Sequence, residues 1–382
     1  MTMFHTDRPR RALHHALNAA LMAGWFQMTS VVSAETIHLR GGDDSIESTT
    51  FDLRDDGIHL LASGSETGEV SRVIPWDMVR EIDGISAPSI RDAWEKYRPV
   101  ALELWRARSR LQRGDARLAE LLFERHFEQL AGGDAASELD LIIAEGLLRV
   151  RLARGAVEEA LAPALETIRL RRAGISTDRY DELPDVIDEQ LWLVPELPPI
   201  RTDLRMIDLL PDLLRPWSES EDPHVRALAE GYAGPTDTLL VEDAGTGVLL
   251  LAAAREAIAI DPVVRQKGRA QLSSLATMQD APPWVDAWSR WFTARSLSLE
   301  SDADVDDILI ELLHIPARHA SRCPALASRA IIHATEILDE AGRFPEANML
   351  RRELLVSHAS VVPAIHPDPV THDGPTDGSE TP

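Results

Sequence analysis

Three hexapeptides decide how this chain folds: GDARLA at residues 114–119, GAVEEA at 155–160 and GRFPEA at 342–347. Each has a glycine followed five positions later by an alanine, and each lies where one segment with helical apolar periodicity ends and another begins. Glycine adopts the left-handed conformation that ends a helix at little cost, and the small alanine lets the second helix cross the first closely. The sequence therefore predicts three antiparallel helical hairpins.

This arrangement resembles tetratricopeptide repeats, in which a turn glycine, a small residue and a following bulky residue have these relative positions. Phe123 occupies the bulky position of the first copy, whereas the second and third copies have Ala164 and Arg351 there. The first two copies are 41 residues apart, while the family spacing is about 34. The resemblance covers about a third of the chain and implies an irregular helical array with a surface for a protein or peptide.

Between residues 35 and 84 the apolar period changes from helical to alternating. Runs rich in β-branched residues predict five strands, at 36–39, 46–53, 58–62, 70–74 and 79–82. Five short strands in this length predict a small, strongly bent barrel, and their order resembles SH3-like or Sm-like barrels. Such a module is expected to cap the helices, to bind a peptide in a groove, or to self-associate. The expected fold class is mainly α, a TPR-like array with an N-terminal five-stranded β-barrel.

Composition and periodicity together divide the chain into six segments. The predicted bounds are a signal peptide at 1–34, the β-barrel module at 35–84, TPR-like hairpins at 88–180, a proline-rich crossover at 181–223, a C-terminal helical array at 224–358 and a disordered tail at 359–382. The tail is rich in Pro, Asp, Thr and Gly, so it has too little apolar surface to order itself. Whether the helical array is continuous across the crossover is left open by the sequence.

The first 34 residues have the layout of an export signal. Arg8, Arg10 and Arg11 form a basic start, an apolar stretch follows, and Val32 and Ala34 provide small residues for cleavage. The alternative is an ordinary amphipathic helix. Because polar residues interrupt the apolar stretch, it is a poor candidate for a membrane span. We expect an exported protein, either periplasmic or extracellular, with no integral membrane segment after cleavage.

The charge of the chain limits its partners. The formal net charge is −24, which argues against nucleic acid and anionic membranes, because both need clustered Lys and Arg. A basic protein or peptide fits better. Cys323 is the single cysteine, so no disulfide can form within the chain. It is more typical of a buried small residue than of a nucleophile.

Tryptophans give the candidate ligand-binding residues. Trp284, Trp288 and Trp291 are spaced to share one helix face, and Trp76 follows a predicted strand. Such rings can line a sugar or peptide groove. The alternative is that they pack in the core, which is the more common role of an aromatic stripe.

The sequence contains no recognisable catalytic or metal motif, so no catalytic residue, metal ligand or cofactor is predicted. An acidic run at 302–307 departs from the calcium-loop pattern at its glycine and at its final glutamate. His314 and His319 are five residues apart, a spacing that does not place both on one helix face, and Pro316 lies between them. Zinc-type cysteine pairs are absent because the chain has one cysteine.

Three functions are compatible with these observations. The first is an exported, non-enzymatic interaction or scaffold protein that binds a peptide or protein on its helical surface. The second is an extracytoplasmic enzyme with a site between the proline-rich crossover and the helix carrying Trp284, Trp288 and Trp291. The third is an envelope component that self-associates through the barrel. The oligomeric state and the ligand are not specified by the sequence.

Overall fold

A computed structural model describes residues 36–41, 44–47, 50–62, 69–85, 87–131, 136–199, 204–233 and 245–357. The predicted signal peptide and C-terminal tail lie outside these residues. The chain divides into two compact units, Met1–Ala101 and Leu102–Pro382. Among the described residues the fold is mainly helical, with twelve α-helices and a small N-terminal antiparallel sheet region.

The described residues of the first unit form six short strands. They are β1 (Thr36–Leu39), β2 (Ser45–Ile46), β3 (Phe51–Arg54), β4 (Gly57–Leu61), β5 (Val70–Pro75) and β6 (Val79–Asp83). The expected hairpin joins β3 to β4, with Arg54 paired to Gly57, so the turn residues are Asp55 and Asp56. The predicted strand at 46–53 is divided into β2 and β3, which belong to different sheets.

The prediction of a closed five-stranded barrel is wrong. In the described part of the first unit the strands form two separate three-stranded sheets, ordered β2-β1-β6 and β3-β4-β5. The physical reason is the division of the 46–53 segment. A continuous bent strand would have run from one sheet into the other, whereas β2 pairs with β1 and β3 pairs with β4.

The helices follow the sheet region. They are α1 (Pro88–Gln112), α2 (Ala116–Leu130), α3 (Glu138–Ala153), α4 (Val157–Arg172), α5 (Leu204–Ser218), α6 (Pro223–Ala233), α7 (Thr246–Glu256), α8 (Pro262–Ala276), α9 (Trp284–Leu297), α10 (Val305–His319), α11 (Pro324–Glu340) and α12 (Phe344–Ser357). In the second unit, helices that follow one another in sequence generally pack side by side. Among the described helices, none combines the length and apolarity that crossing a lipid bilayer requires.

The three glycine–alanine signatures form the turns α1–α2, α3–α4 and α11–α12. Gly114, Gly155 and Gly342 have positive φ angles of 81°, 69° and 73°, as the sequence predicted. In each turn the N–H after the glycine donates to the carbonyl five residues earlier, at 2.8, 2.9 and 2.8 Å, which satisfies a carbonyl at the helix end. The alanines that follow the glycines by five residues, Ala119, Ala160 and Ala347, are each 0% exposed. Local chemistry therefore fixes these three turns.

Buried carboxylates join neighbouring helices of the second unit. Glu145 on α3 is 0% exposed, and it accepts hydrogen bonds from Arg149 at 2.6 Å and from Arg171 on α4 at 2.7 Å. Glu166 on α4 is likewise buried and accepts from the indole of Trp217 on α5 at 2.8 Å. Because a buried charge is stable only when paired, these contacts fix the register between α3, α4 and α5.

The first part of the predicted 181–223 crossover, residues 181–199, packs against α9, and we call this part the crossover segment. The indole of Trp284 donates to the carboxylate of Asp188 at 2.7 Å, and that of Trp288 donates to the carbonyl of Pro195 at 2.8 Å. Within the segment, Trp192 has a positive φ of 53°, a strained conformation for a bulky residue. The crossover is therefore an ordered wall of the second unit.

Candidate functional site

A cavity of about 900 Å³ in the second unit lies where four chain segments meet. We call it the turn groove. It is lined by residues within 111–118 at the α1–α2 turn, 149–154 at the end of α3, 183–196 in the crossover and 321–325 at the start of α11. Its position follows from the fold, because a hairpin turn leaves exposed side chains beside the ends of two helices. Leu118, on its rim, is 51% exposed, so the groove opens to solvent.

One wall of the turn groove is held by paired arginines. Arg149 is bound to Glu145 and also donates to the carbonyl of Pro184 at 2.7 Å, which ties α3 to the crossover. Arg154 pairs with Glu120 of α2. Because carboxylates neutralise their charges, Arg149 and Arg154 mainly hold together the segments that form this wall.

Two other arginines of the turn groove carry unmatched charge. Arg117 in α2 and Arg322 before α11 line the cavity, and both are exposed. Within the described part of the chain, neither guanidinium has a hydrogen-bond or ion-pair partner. A guanidinium presents a planar set of donors that fits a carboxylate in a bidentate geometry. The rim of the groove therefore offers two cationic groups to an incoming anion.

Glu196 lies at the inner end of the crossover and lines the same cavity. Its carboxylate accepts hydrogen bonds from the main-chain N–H groups of Ala325 and Leu326, at 3.1 and 3.2 Å. It thereby caps the N-terminus of α11 from a position about 130 residues away in the chain. Burial raises the pKa of Glu196 to about 7, so this carboxyl changes charge near neutral pH.

Cys323 lies next to this cap and is 0% exposed. Burial raises the pKa of its thiol to about 12. The thiol is therefore protonated at neutral pH, and a protonated thiol is a poor nucleophile. This burial agrees with the packing role that the sequence indicated.

The predicted ligand-binding tryptophans are placed in packed interiors. Trp284, Trp288 and Trp291 on α9 are 5%, 0% and 4% exposed, and the first two anchor the crossover as described above. Beside them a cavity of about 90 Å³ is lined by residues such as Val285, far below the 300–1,000 Å³ typical of ligand pockets. Their burial agrees with the alternative of core packing, and ligand binding by these rings stays a prediction.

Trp76 has a corresponding role in the first unit. It is 0% exposed, its ring stacks on Tyr97 with centroids 4.7 Å apart, and its indole donates to the carbonyls of Arg54 and Asp55, both at 3.0 Å. The ring therefore joins the β3–β4 turn to α1.

Sequence reasoning did not find the residues that shape the turn groove. Arg117 lies inside the first glycine–alanine signature, so proximity to a predicted turn was an available signal. Nothing local marks Glu196 or Arg322, because their importance comes from contacts between distant segments. Comparison with known proteins adds no further assignment: no family model, no curated protein and no solved structure matches this chain.

Proposed function

We propose that this chain is an exported interaction protein that binds a short, carboxylate-bearing segment of a partner protein in the turn groove. The observation that carries the proposal is an open cavity of about 900 Å³ with exposed apolar surface and two unpaired arginines on its lining. Its volume lies in the range of sites that hold small ligands or a few peptide residues.

The groove combines apolar and charged surfaces in the way a peptide site requires. Leu111, Leu118, Leu183 and Val186 supply apolar area along its lining. Burying the side chains of a partner against them would provide most of the affinity. The unpaired Arg117 and Arg322 would then select segments that carry carboxylates, and would orient them.

The global and local charges favour different parts of one partner. The net charge of −24 favours a partner with a basic surface, because opposite charges speed encounter. The groove itself has free positive charge and favours acidic side chains or a C-terminal carboxylate. We therefore propose a partner that is basic overall and presents a short acidic segment.

Two finer features belong to the same proposal. Export is supported by the basic, apolar and small-residue pattern of residues 1–34. A tetratricopeptide-like array is supported by the three turns with left-handed glycines and buried alanines. In this arrangement the turn groove lies at the turn ends of the first two hairpins, beside the start of the third.

The proposal can be tested by selecting peptides from a random display library on the full chain. We expect the selected peptides to carry Asp, Glu or a free C-terminal carboxylate next to apolar residues. The double variant Arg117→Glu, Arg322→Glu is expected to weaken their binding at least about tenfold, since hydrogen bonds to charged groups contribute about 1.5–3 kcal/mol each. Raising the salt concentration should weaken binding to the wild type.

A matched control is the double variant Arg226→Glu, Arg352→Glu. These two arginines are also exposed in the second unit, but they do not line the groove. The control makes the same change in net charge, so it should leave peptide affinity nearly unchanged. Peptides without carboxylates, or equal losses in the two double variants, would contradict the proposal.

A second candidate function, hydrolytic or transferase chemistry in the same groove, is favoured by one observation. Glu196 has a pKa of about 7, which suits a general acid or base at neutral pH. Screening the wild type and Glu196→Gln against ester, glycoside and peptide substrates tests it. Turnover that is lost in the variant would support an enzyme, and absence of turnover in the wild type would oppose it.

A further inference from the structure

Three side chains of metal-ligand type converge between α9 and α10, and none of them lines the turn groove. Asp286 lies on α9, and His314 and His319 lie on α10. The Oδ2 atom of Asp286 is 3.0 Å from Nε2 of His319 and 3.9 Å from Nδ1 of His314. One ligand atom from each residue lies within 4.8 Å of the other two.

A spacing of five does not place the two histidines on one helix face, yet their rings approach each other. Their ring centroids are 6.1 Å apart. A separation of five residues rotates two Cβ atoms by about 140° in a regular helix, but both imidazoles are long enough to turn toward the same point. Asp286 on the neighbouring helix marks that point.

The geometry is close to that of a bound ion. Tetrahedral zinc with bonds of about 2.0–2.1 Å places neighbouring ligand atoms about 3.4 Å apart. The Oδ2–Nε2 and Oδ2–Nδ1 distances of 3.0 and 3.9 Å lie on either side of this value.

His314 supplies an independent sign of a missing ligand. Its Nδ1 atom is inaccessible to solvent and has no hydrogen-bond partner among the described residues. A buried polar atom without a partner is unfavourable, so native structures usually satisfy it with a hydrogen bond, water or an ion. Here the atom faces Asp286 and lies on the side where an ion would be placed.

The charges around the cluster allow a cation to bind. Arg290 contacts the same Oδ2 of Asp286 at 3.1 Å, and it also pairs with Glu311 at 3.0 Å. Glu311 therefore offsets the positive charge of Arg290, and Asp286 keeps a second oxygen for that arginine when Oδ2 binds an ion. The side chains of Asp286 and His314 are 35% and 26% exposed, so the cluster lies close to the protein surface.

We propose that Asp286, His314 and His319 bind one divalent transition-metal ion, with water or an external group in the remaining position. Two imidazoles and one carboxylate suit Zn²⁺ and neighbouring transition metals better than Ca²⁺ or Mg²⁺, which prefer oxygen ligands. The fourth position gives the site a way to bind an exogenous donor, such as a histidine or carboxylate of a partner.

The test is a titration of the full chain with Zn²⁺ by calorimetry and with Co²⁺ by visible absorption, beginning from chelator-treated protein. We expect one ion per chain at this site and a Co²⁺ spectrum of low coordination number. His314→Ala should weaken binding at least about tenfold, and His319→Ala with Asp286→Asn should abolish it. Mg²⁺ should not compete.

His38→Ala is the matched control, because His38 also pairs with an aspartate, Asp83, at 2.9 Å but has no second histidine nearby in the described structure. It should keep the site intact. The side chain of His314 makes no hydrogen bond to any described residue, so His314→Ala is expected to fold, and far-ultraviolet circular dichroism checks this. Zn²⁺ should raise the melting temperature of the wild type and of His38→Ala, but not of His314→Ala. Binding unchanged by His314→Ala and by the double variant, or no binding to the wild type, would overturn the proposal.

Discussion

Replacing Glu196 with glutamine should change how the stability of the second unit depends on pH. Glu196→Gln keeps the shape of the side chain and an oxygen that can accept from Ala325 and Leu326, but it cannot ionise. In the wild type, burial raises the pKa of this carboxyl from 4.5 to about 7. The folded protein therefore holds a proton between these two pH values that the unfolded chain releases.

The sign and size of the effect follow from proton linkage. Because the folded state binds more protons, the free energy of unfolding falls as pH rises from about 4.5 to about 7. The stabilisation that Glu196 contributes is complete below its pKa of 4.5 in the unfolded chain. It is lost as the pH rises through its pKa of about 7 in the folded protein. The gap between 4.5 and about 7 corresponds to about 3 kcal/mol, since each pKa unit is worth about 1.4 kcal/mol.

The assay is urea unfolding of the full chain followed by far-ultraviolet circular dichroism, at a series of values between about pH 5 and about pH 8. Other groups also titrate, so the measured quantity is the difference between wild type and Glu196→Gln. From the acid to the neutral end, this difference should shift by about 2–3 kcal/mol in favour of the variant. Glu182→Gln, an exposed carboxylate in the same segment, should show no such shift. A difference between wild type and Glu196→Gln that does not vary with pH would refute the reasoning.

Substitutions at three further positions test the packing of the helical unit. Gly342→Ala should lower the free energy of unfolding by about 1–2 kcal/mol, because alanine is strained at the φ of +73° found here. The new Cβ meets no other atom, so no steric clash adds to this strain. Gly342→Asn should lower the free energy of unfolding by less, because asparagine tolerates this conformation better. Glu145→Ala should cost about 3–5 kcal/mol in chemical denaturation, since it leaves Arg149 and Arg171 without their buried carboxylate; a loss below about 1 kcal/mol would contradict this. Trp288→Phe should speed amide hydrogen exchange in residues 188–197, because the indole hydrogen bond to the crossover is removed; unchanged exchange would show that the crossover is held by other contacts.

The hairpin turns could be predicted from sequence because their causes are local. A glycine with positive φ, its main-chain hydrogen bonds and a buried alanine all lie within ten residues of one another, as at Gly155 and Ala160. The positions of most strands were visible for the same reason, since alternation is a property of a few neighbouring residues. The arrangement of the strands could not be predicted in this way, because closure of a barrel depends on which strand pairs with which. The break between β2 and β3 places these two strands in different sheets.

The candidate sites could not be predicted because they are made by distant segments. Glu196 caps a helix about 130 residues later, and no spacing rule connects the two. His314 and His319 appeared incompatible when only their own helix was considered, yet Asp286 on the neighbouring helix lies within reach of both. From the sequence, the tryptophans of α9 could either line a groove or pack in the core. Their rings are buried because the crossover segment packs on them.

The most direct test of the turn groove as the binding surface is site-specific photo-crosslinking to a display-selected acidic peptide. A photoreactive phenylalanine analogue would replace Leu118, which lines the groove. As a control, the same analogue would replace Leu121, which also lies on α2 and is 64% exposed but does not line the groove. We predict a light-dependent adduct from position 118 that disappears in the Arg117→Glu, Arg322→Glu background, and little adduct from position 121. Equal adducts from both positions, or none from position 118 with a peptide that binds, would contradict the account.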